Sequence, residues 1–405
     1  MNKDFIIITG SNFLNKGSQS MLFSTVQMLK EKYPDKKIIM LSTKDYFDSK
    51  LDKGNFNFEI LPDYLSRFIA PPIRYARKIF MKLTGEEGVM EKKEEMQKLK
   101  EILSHTSMLV DISGFALSSE WKSQVVSINY ILRIAAAKYW KIPMYILPQS
   151  FGPFEYKFPY NFINNILNYY YLRYPRIICS REQDGVNCLR KYHLKNVKRV
   201  NDTVITTKFI ELSKIYMKAQ HLKKYEIKGE HPIAVIPNMR SIQRGKTEQL
   251  LELYEELIND LSKIHDIYLI RHSVEDIEGC RMIAERCSGN SRLHLIGDDM
   301  NCFEFEALVK QFDFCIAARF HSIVHAYKNG IPCISMGWAV KYKELLESFG
   351  QEKFLFDVRG GVDRKRLKNC IQYLESNYEV ESNEILENLP LLRQNNALSA
   401  MEESK

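Results

Sequence analysis

Three arginines, a histidine and a lysine carry most of the chemistry that this chain can offer. Ala318-Arg319-Phe320-His321-Ser322 leaves an apolar run, FDFCIAA, and enters an amphipathic stretch. That placement predicts His321 at or near a helix N-terminus, beside Arg319 and facing any anion held there. An imidazole so placed can act as a general acid or base near neutral pH. Arg181 follows RIICS and Arg240 follows AVIPNM, so each also stands just past an apolar run. Guanidinium binds carboxylate and phosphate through paired, charge-assisted hydrogen bonds that lysine cannot reproduce. Three such groups at one edge suit a ligand with more than one anionic group. For any single one, a salt bridge to Glu182 or another neighbouring acid is the ordinary alternative. Lys341, beyond the run CISMG, is a candidate phosphate contact, with a solvated surface lysine as its alternative.

His325 lies one turn after His321. The H-x-x-x-H pair lacks a glutamate after its first histidine and has no evident third ligand, so no metal is expected and His325 reads as a packed helix histidine. Near the N-terminus, Gly10 to Ser18 forms a glycine-bearing turn that feeds a helix, a ready site for an anion or a sugar. It matches neither G-x-G-x-x-G nor a Walker loop. Asn15 and Gly17 are the candidate acceptor contacts there. Gln149 and Ser150, which follow MYILP, are candidates for recognising an acceptor sugar, with turn structure as the alternative.

The elements that must position these groups are legible as alternation. Expected strands are Phe5–Thr9, Lys37–Leu41, Met108–Ile112, Met144–Leu147 and Arg176–Cys179, then Ile233–Ile236, Ile267–Ile270, Leu293–Ile296, Phe312–Ala317 and Cys333–Met336. Amphipathic stretches between them, such as Ser18–Lys32, Val125–Trp140 and Thr247–Lys263, read as helices. Short apolar strands separated by helices predict parallel βαβ units, hence an α/β fold of two doubly wound, Rossmann-like domains facing a cleft. In such sheets ligands bind beyond the carboxyl ends of the strands. The division expected is an N-terminal domain over 1–205, a linker over 206–231, a C-terminal domain over 232–375 and a helical tail over 376–405. The N-terminal domain would be the acceptor side and the C-terminal domain the donor side.

The stretch 64–100 breaks the alternation. Arg67, Arg74, Arg77, Lys78 and Lys82 are interleaved there with Phe68, Ile69, Ile73, Tyr75, Ile79, Phe80 and Met81. It suits either a solvated helix with one packed face or contact with an anionic bilayer. The net charge of +8 and pI near 8.8 are mild for 405 residues. They suit anionic small molecules or a membrane face and fall short of a nucleic-acid binder. Eight scattered cysteines without a C-x-x-C pair read as reduced thiols. With neither a signal peptide nor a membrane span in the pattern, the expectation is a cytoplasmic protein that can sit peripherally at the inner membrane face.

Taken together, the motifs resemble the polysaccharide pyruvyl transferases. The matching positions are Arg319 and His321, Gly330 and Pro332, Trp338 and Lys341, Gly350, Asn15 and Gly17, Gln149–Pro153, Ser180–Glu182, Asp202 and Arg240. The chain departs from the family pattern at Ser18, Ser113 and Trp338. The resemblance implies a fold similar to the B-type glycosyltransferases, with phosphoenolpyruvate as donor, a sugar acceptor that can be lipid-linked, and no cofactor. It also implies Arg319 and Lys341 on the donor phosphate, Arg181 or Arg240 on its carboxylate, and His321 moving a proton. Two alternatives stand beside it. One is a nucleotide-sugar glycosyltransferase gripping a ribose through Glu344; the other is a non-catalytic relative that binds sugar or membrane.

Overall fold

The computed structural model describes residues 3–84, 92–121, 123–244, 247–337 and 340–404. Residues 85–91 of the basic stretch and Trp338 lie outside the described residues, as do the side chains of Ile79, Phe80 and Met81. The first sheet contains β1 (Phe5–Thr9), β2 (Lys37–Leu41), β3 (Glu59–Leu61), β4 (Thr106–Asp111), β5 (Met144–Gln149), β6 (Ile177–Ser180) and β7 (Val197–Arg199). Its order is β3-β2-β1-β4-β5-β6-β7. The second contains β8 (Ile233–Ile236), β9 (Ile267–Ile270), β10 (Leu293–Ile296), β11 (Phe314–Ala317), β12 (Cys333–Gly337) and β13 (Leu355–Asp357). Its order is β10-β9-β8-β11-β12-β13, and the described pairs in both sheets are parallel. The expected pair of doubly wound α/β domains is what forms.

Each sheet reverses its winding between its first strand and the strand three crossovers later, at β1/β4 and at β8/β11. These are the crevices where such sheets take ligands. Strands β3, β7 and β13 escape the sequence pattern because each has only three residues, and each lies at the edge of its sheet. An edge strand is covered on fewer sides and needs no continuous apolar run.

The helix Lys16–Lys32 joins the two halves. Leu22, Phe23, Val26 and Leu29 pack under the first sheet, whereas Met21 belongs to the core of the second. Gln19 Oε1 accepts the Cys302 N–H at 2.6 Å, and Lys16 Nζ meets Asp299 at 2.9 Å. His325, 1% exposed, has Nε2 2.8 Å from Ser20 Oγ and Nδ1 3.3 Å from Glu306. It is therefore a packed histidine in the domain interface. Being buried on two sides, this helix has no solvated face along most of its length.

The C-terminal stretch differs from the expected tail. Helix Arg364–Gln394 begins inside the second domain, where Leu367, Ile371, Ile385 and Leu389 enter its core. The chain then crosses back. The Asn201 N–H donates to Asn395 O at 3.1 Å, and Ala397, Ala400 and Met401 of helix Ala397–Glu403 are buried against the first sheet. The stretch 206–231 is shared in the same way: Ile210, Ile215 and Tyr216 pack on the first domain, Tyr225 and Ile227 on the second.

Met401→Ala removes a fully packed side chain from this returning helix and should lower stability by about 2–4 kcal/mol, read from the urea midpoint. An unchanged midpoint would show that the final helix adds nothing to the first core.

Candidate active site

The carboxyl ends of β1 and β4 face those of β8 and β11 across a cavity of about 620 Å³. Among the described residues, seven Lys and Arg side chains line it: Lys44, Arg77, Arg133, Arg181, Arg240, Arg319 and Lys341. Among the described residues of the wall, Asp63 and Glu120 are the acids that oppose them. A cavity of this size and sign suits a small polyanion together with a sugar-sized partner.

Arg319 and His321 stand where the sequence put them. Arg319 immediately precedes helix Phe320–Lys328, with His321 in its first turn. Arg319 Nε and Nη2 bind Asp276 at 2.9 and 2.5 Å, and Nη2 also meets Glu275 at 2.6 Å. Arg240 shares that Glu275 through Nε at 2.8 Å. Arg181 Nη1 donates to Asp202 Oδ2 at 2.7 Å, and its Nη2 donates to Ser150 Oγ at 2.7 Å and Gly114 O at 3.1 Å. All three arginines are thus both acid-paired and on the cavity wall. Pairing holds each guanidinium in one orientation, so less motion is lost when a ligand arrives.

His321 Nε2 lies 3.6 Å from Asp202 Oδ2, and the His321 side chain is 14% exposed. Burial pushes the imidazole pKa down, while Asp202 pulls it back up, and the net is a lowered value. Burial would raise the Asp202 pKa, but His321 and Arg181 outweigh it and hold the carboxyl well below the usual carboxylate range. Gly17 explains how the ring fits: a Cβ on that residue would fall 2.2 Å from His321 Cγ. The first helix is therefore cut away where the histidine from the other domain docks. Asn15 lines the cavity and caps that helix, accepting the Ser18 N–H at 2.7 Å.

Lys341 Nζ stands 4.9 Å from the centre of the Phe115 ring and 5.5 Å from that of Phe320. On the same Phe320 ring, Arg181 Cζ sits 4.5 Å from the centre. Desolvation lowers the Lys341 pKa to about 8, with the neighbouring Arg181 charge acting in the same direction.

Gln149 and Ser150 lie behind the wall rather than on it. Gln149 is fully buried and donates to Asp111 Oδ1 at 3.0 Å. Ser150 Oγ donates to Glu182 Oε1 at 2.9 Å while accepting from Arg181. Their polarity satisfies buried carboxylates and orients Arg181, so direct contact with an acceptor passes to other residues. Glu344 is engaged as well: its carboxylate accepts the N–H groups of Gln183 and Asp184 at 2.5 and 2.7 Å, capping helix Gln183–Leu189. That carboxylate, expected to grip a ribose in the nucleotide-sugar alternative, thus serves a helix N-terminus of the first domain.

Sequence reasoning missed His272. It follows β9 by two residues, so the strand-end rule pointed to it. It is 2% exposed on the cavity wall, and neither ring nitrogen has a hydrogen-bond partner among the described residues. Burial, reinforced by Arg319, drives its pKa well below the usual value. Also missed were Arg133 and Asp63, paired at 2.9 Å on the first domain's side of the cavity. Asp63 follows an edge strand without a clear pattern, and Arg133 sits inside a helix, so neither carried a local signal.

Two measurements follow from these shifts. Asp202→Asn should move the His321 titration, followed by NMR of the imidazole, to lower pH, because the carboxylate favours the protonated ring. An unmoved titration would remove Asp202 as its partner. His272 stays neutral when folded but protonates at about pH 6.5 when unfolded. Stability should therefore fall as pH drops below about 6.5, and His272→Phe should flatten that slope. An identical slope in the variant would place the effect elsewhere.

The family model described as Polysaccharide pyruvyl transferase matches residues 15–339. No curated protein matches the chain. Among solved structures, the UDP-GlcNAc 2-epimerase of Neisseria meningitidis bound to UDP-GlcNAc superposes with a TM-score of 0.57 at 15% identity, covering 99% of this chain and 98% of its own. The S. aureus MnaA–UDP structure gives 0.56 at 13%, covering 99% and 94%. A glycosyltransferase of kitacinnamycin gives 0.52 at 10%, covering 100% and 97%. At these identities the likeness is one of fold, the two-domain B-type glycosyltransferase architecture.

Proposed function

This chain belongs to the polysaccharide pyruvyl transferase family, and from that premise we propose that it moves the enolpyruvyl unit of phosphoenolpyruvate onto a sugar, forming a pyruvate ketal. The observation that carries the reading is the pair of cations on Phe320. Arg181 comes from the first domain and Lys341 from the second, and both approach one ring in a desolvated wall. Two like charges so placed are stabilised by an anion between them, and phosphoenolpyruvate brings a carboxylate and a phosphate on one small frame. Arg319 and Arg240, locked by Glu275 and Asp276, extend the cationic wall on the second domain's side.

The chemistry balances without a redox partner. A proton adds to the methylene carbon of the donor, leaving C2 electron-poor. A sugar hydroxyl attacks C2 and gives up its proton, phosphate departs with the C2–O bond pair, and a second hydroxyl of the same sugar closes the ketal as it loses its own proton. His321 is the group placed to move one of these protons. Its lowered pKa keeps it neutral near pH 7, able to accept a proton, and Asp202 at 3.6 Å stabilises the imidazolium that forms. Holding the donor and both hydroxyls in one cavity supplies orientation. The acceptor side falls to the first domain, where Asn15, Asn129, Asp63 and Arg133 line the cavity.

His321→Ala should cut turnover by about 10²–10⁴-fold while donor affinity, measured by calorimetry, changes little; equal turnover would end the proton-transfer role. Gly17→Ala should resemble it, because the new methyl displaces the His321 ring. Lys341 loses its charge as pH rises through about 8, so donor affinity should fall above that pH in the wild type and hold in Lys341→Arg. A pH-independent affinity, or binding of uridine diphosphate in place of phosphoenolpyruvate, would overturn the donor assignment.

A further inference from the structure

The helices Pro71–Thr84, Val125–Tyr139 and Tyr160–Tyr171 belong to one side of the first domain. Residues 64–84, 125–141 and 156–176 contain eleven Lys and Arg and no Asp or Glu, in a chain whose totals are 58 and 50. On helix Tyr160–Tyr171 the buried face carries Asn164, Asn168 and Tyr171, while the outward stripe is apolar. Phe158 is 86% exposed, Phe162 70%, Ile166 50% and Tyr170 56%. Phe162, Ile166 and Tyr170, four residues apart on the helix, form one ridge, and Phe158 stands exposed in the turn just before it. The side chains at the end of helix Val125–Tyr139 tie the ridge to the basic stretch. Lys138 Nζ lies 3.9 Å from the Tyr170 ring centre, and Trp140 Nε1 donates to Phe68 O at 3.1 Å. Beyond Phe68, Tyr75 is 70% exposed beside Arg74 and Lys78, both also outward-facing.

Exposed aromatic rings beside segments rich in Lys and Arg are the composition of a surface that lies at a bilayer interface, even with Glu155 next to the ridge. The rings enter the headgroup region and the cations meet anionic lipid. No helix among the described residues is long and apolar enough to cross a membrane. We propose that this face of the first domain docks on an anionic lipid bilayer, with the Phe158–Tyr170 ridge as the inserted part. The same segment reaches the cavity, since Ser66 and Arg77 line it. A sugar carried on a lipid would then be presented at the cavity mouth. That last step rests on the function proposed above, whereas the docking itself does not.

Full-length protein sedimented with phosphatidylglycerol-containing vesicles should be bound, bound far less by pure phosphatidylcholine, and released by high salt. Phe162→Ser/Ile166→Ser alters only outward side chains. With its fold checked by circular dichroism, it should lower vesicle partition about tenfold and leave phosphoenolpyruvate affinity unchanged. Absence of sedimentation, equal binding to both vesicles, or a double variant that binds like the wild type would each overturn the docking surface. So would a dimer, seen by light scattering, that the double variant dissolves, because the ridge would then be a contact between two copies. Vesicle binding without phosphoenolpyruvate binding would sink the function reading and spare this one.

Discussion

Asp202 lies between groups supplied by both sheets, and the geometry of the cavity depends on it. Its carboxylate takes a hydrogen bond from Arg181 at 2.7 Å, stands 3.6 Å from His321 and accepts the Val204 N–H at 2.8 Å. At 3% exposure such a charge is tolerable only because these partners replace water. Removing one member of a buried pair of this kind typically costs about 3–5 kcal/mol. The carboxylate therefore fixes where the guanidinium of one domain and the imidazole of the other can stand. A second acidic pair, Glu275 and Asp276, does the same for Arg240 and Arg319 within the second domain.

What allows His321 to approach Asp202 is the first helix, which carries little side-chain bulk where the domains meet. Gly17 leaves space for the imidazole, and Ser20 takes the hydrogen bond of His325. Lys16, Gln19 and Met21 bind the second domain from the same turn and the next. The helix is thus a shared wall of both cores. The returning helix Ala397–Glu403 braces the arrangement from the other end of the chain. Two domains linked by buried contacts at several points present their strand ends at a set distance, which a linker alone would not ensure.

The electrostatics of the site follow from that rigidity. Acid partners neutralise the arginines in part and hold them in place, while desolvation, with the Arg181 charge behind it, lowers the Lys341 pKa to about 8. His272, whose ring nitrogens have no hydrogen-bond partner among the described residues, is a buried neutral group on the same wall. A wall that is cationic, desolvated and already ordered favours a compact polyanion over a solvated monovalent ion.

The alternation of short apolar runs with amphipathic stretches determined the α/β class, most strand positions and the placing of Arg181, Arg240, Arg319 and His321 at strand ends. That information is local: a run of four buried residues is legible wherever it occurs. The three-residue edge strands β3, β7 and β13 were not, because so short a strand carries no such run. Nor were the partners. Gln149 and Ser150 were read as facing a ligand, and the structure turns them inward to Asp111 and Glu182. Gly17 carried the signal of a turn, yet its packing role is to make room for a ring more than three hundred residues away. Which polar group meets which, and which side of a strand end faces the cavity, depends on how two separately wound sheets come to rest against one helix. Only the tertiary structure decides that, because each such contact joins residues whose spacing in the chain carries no period.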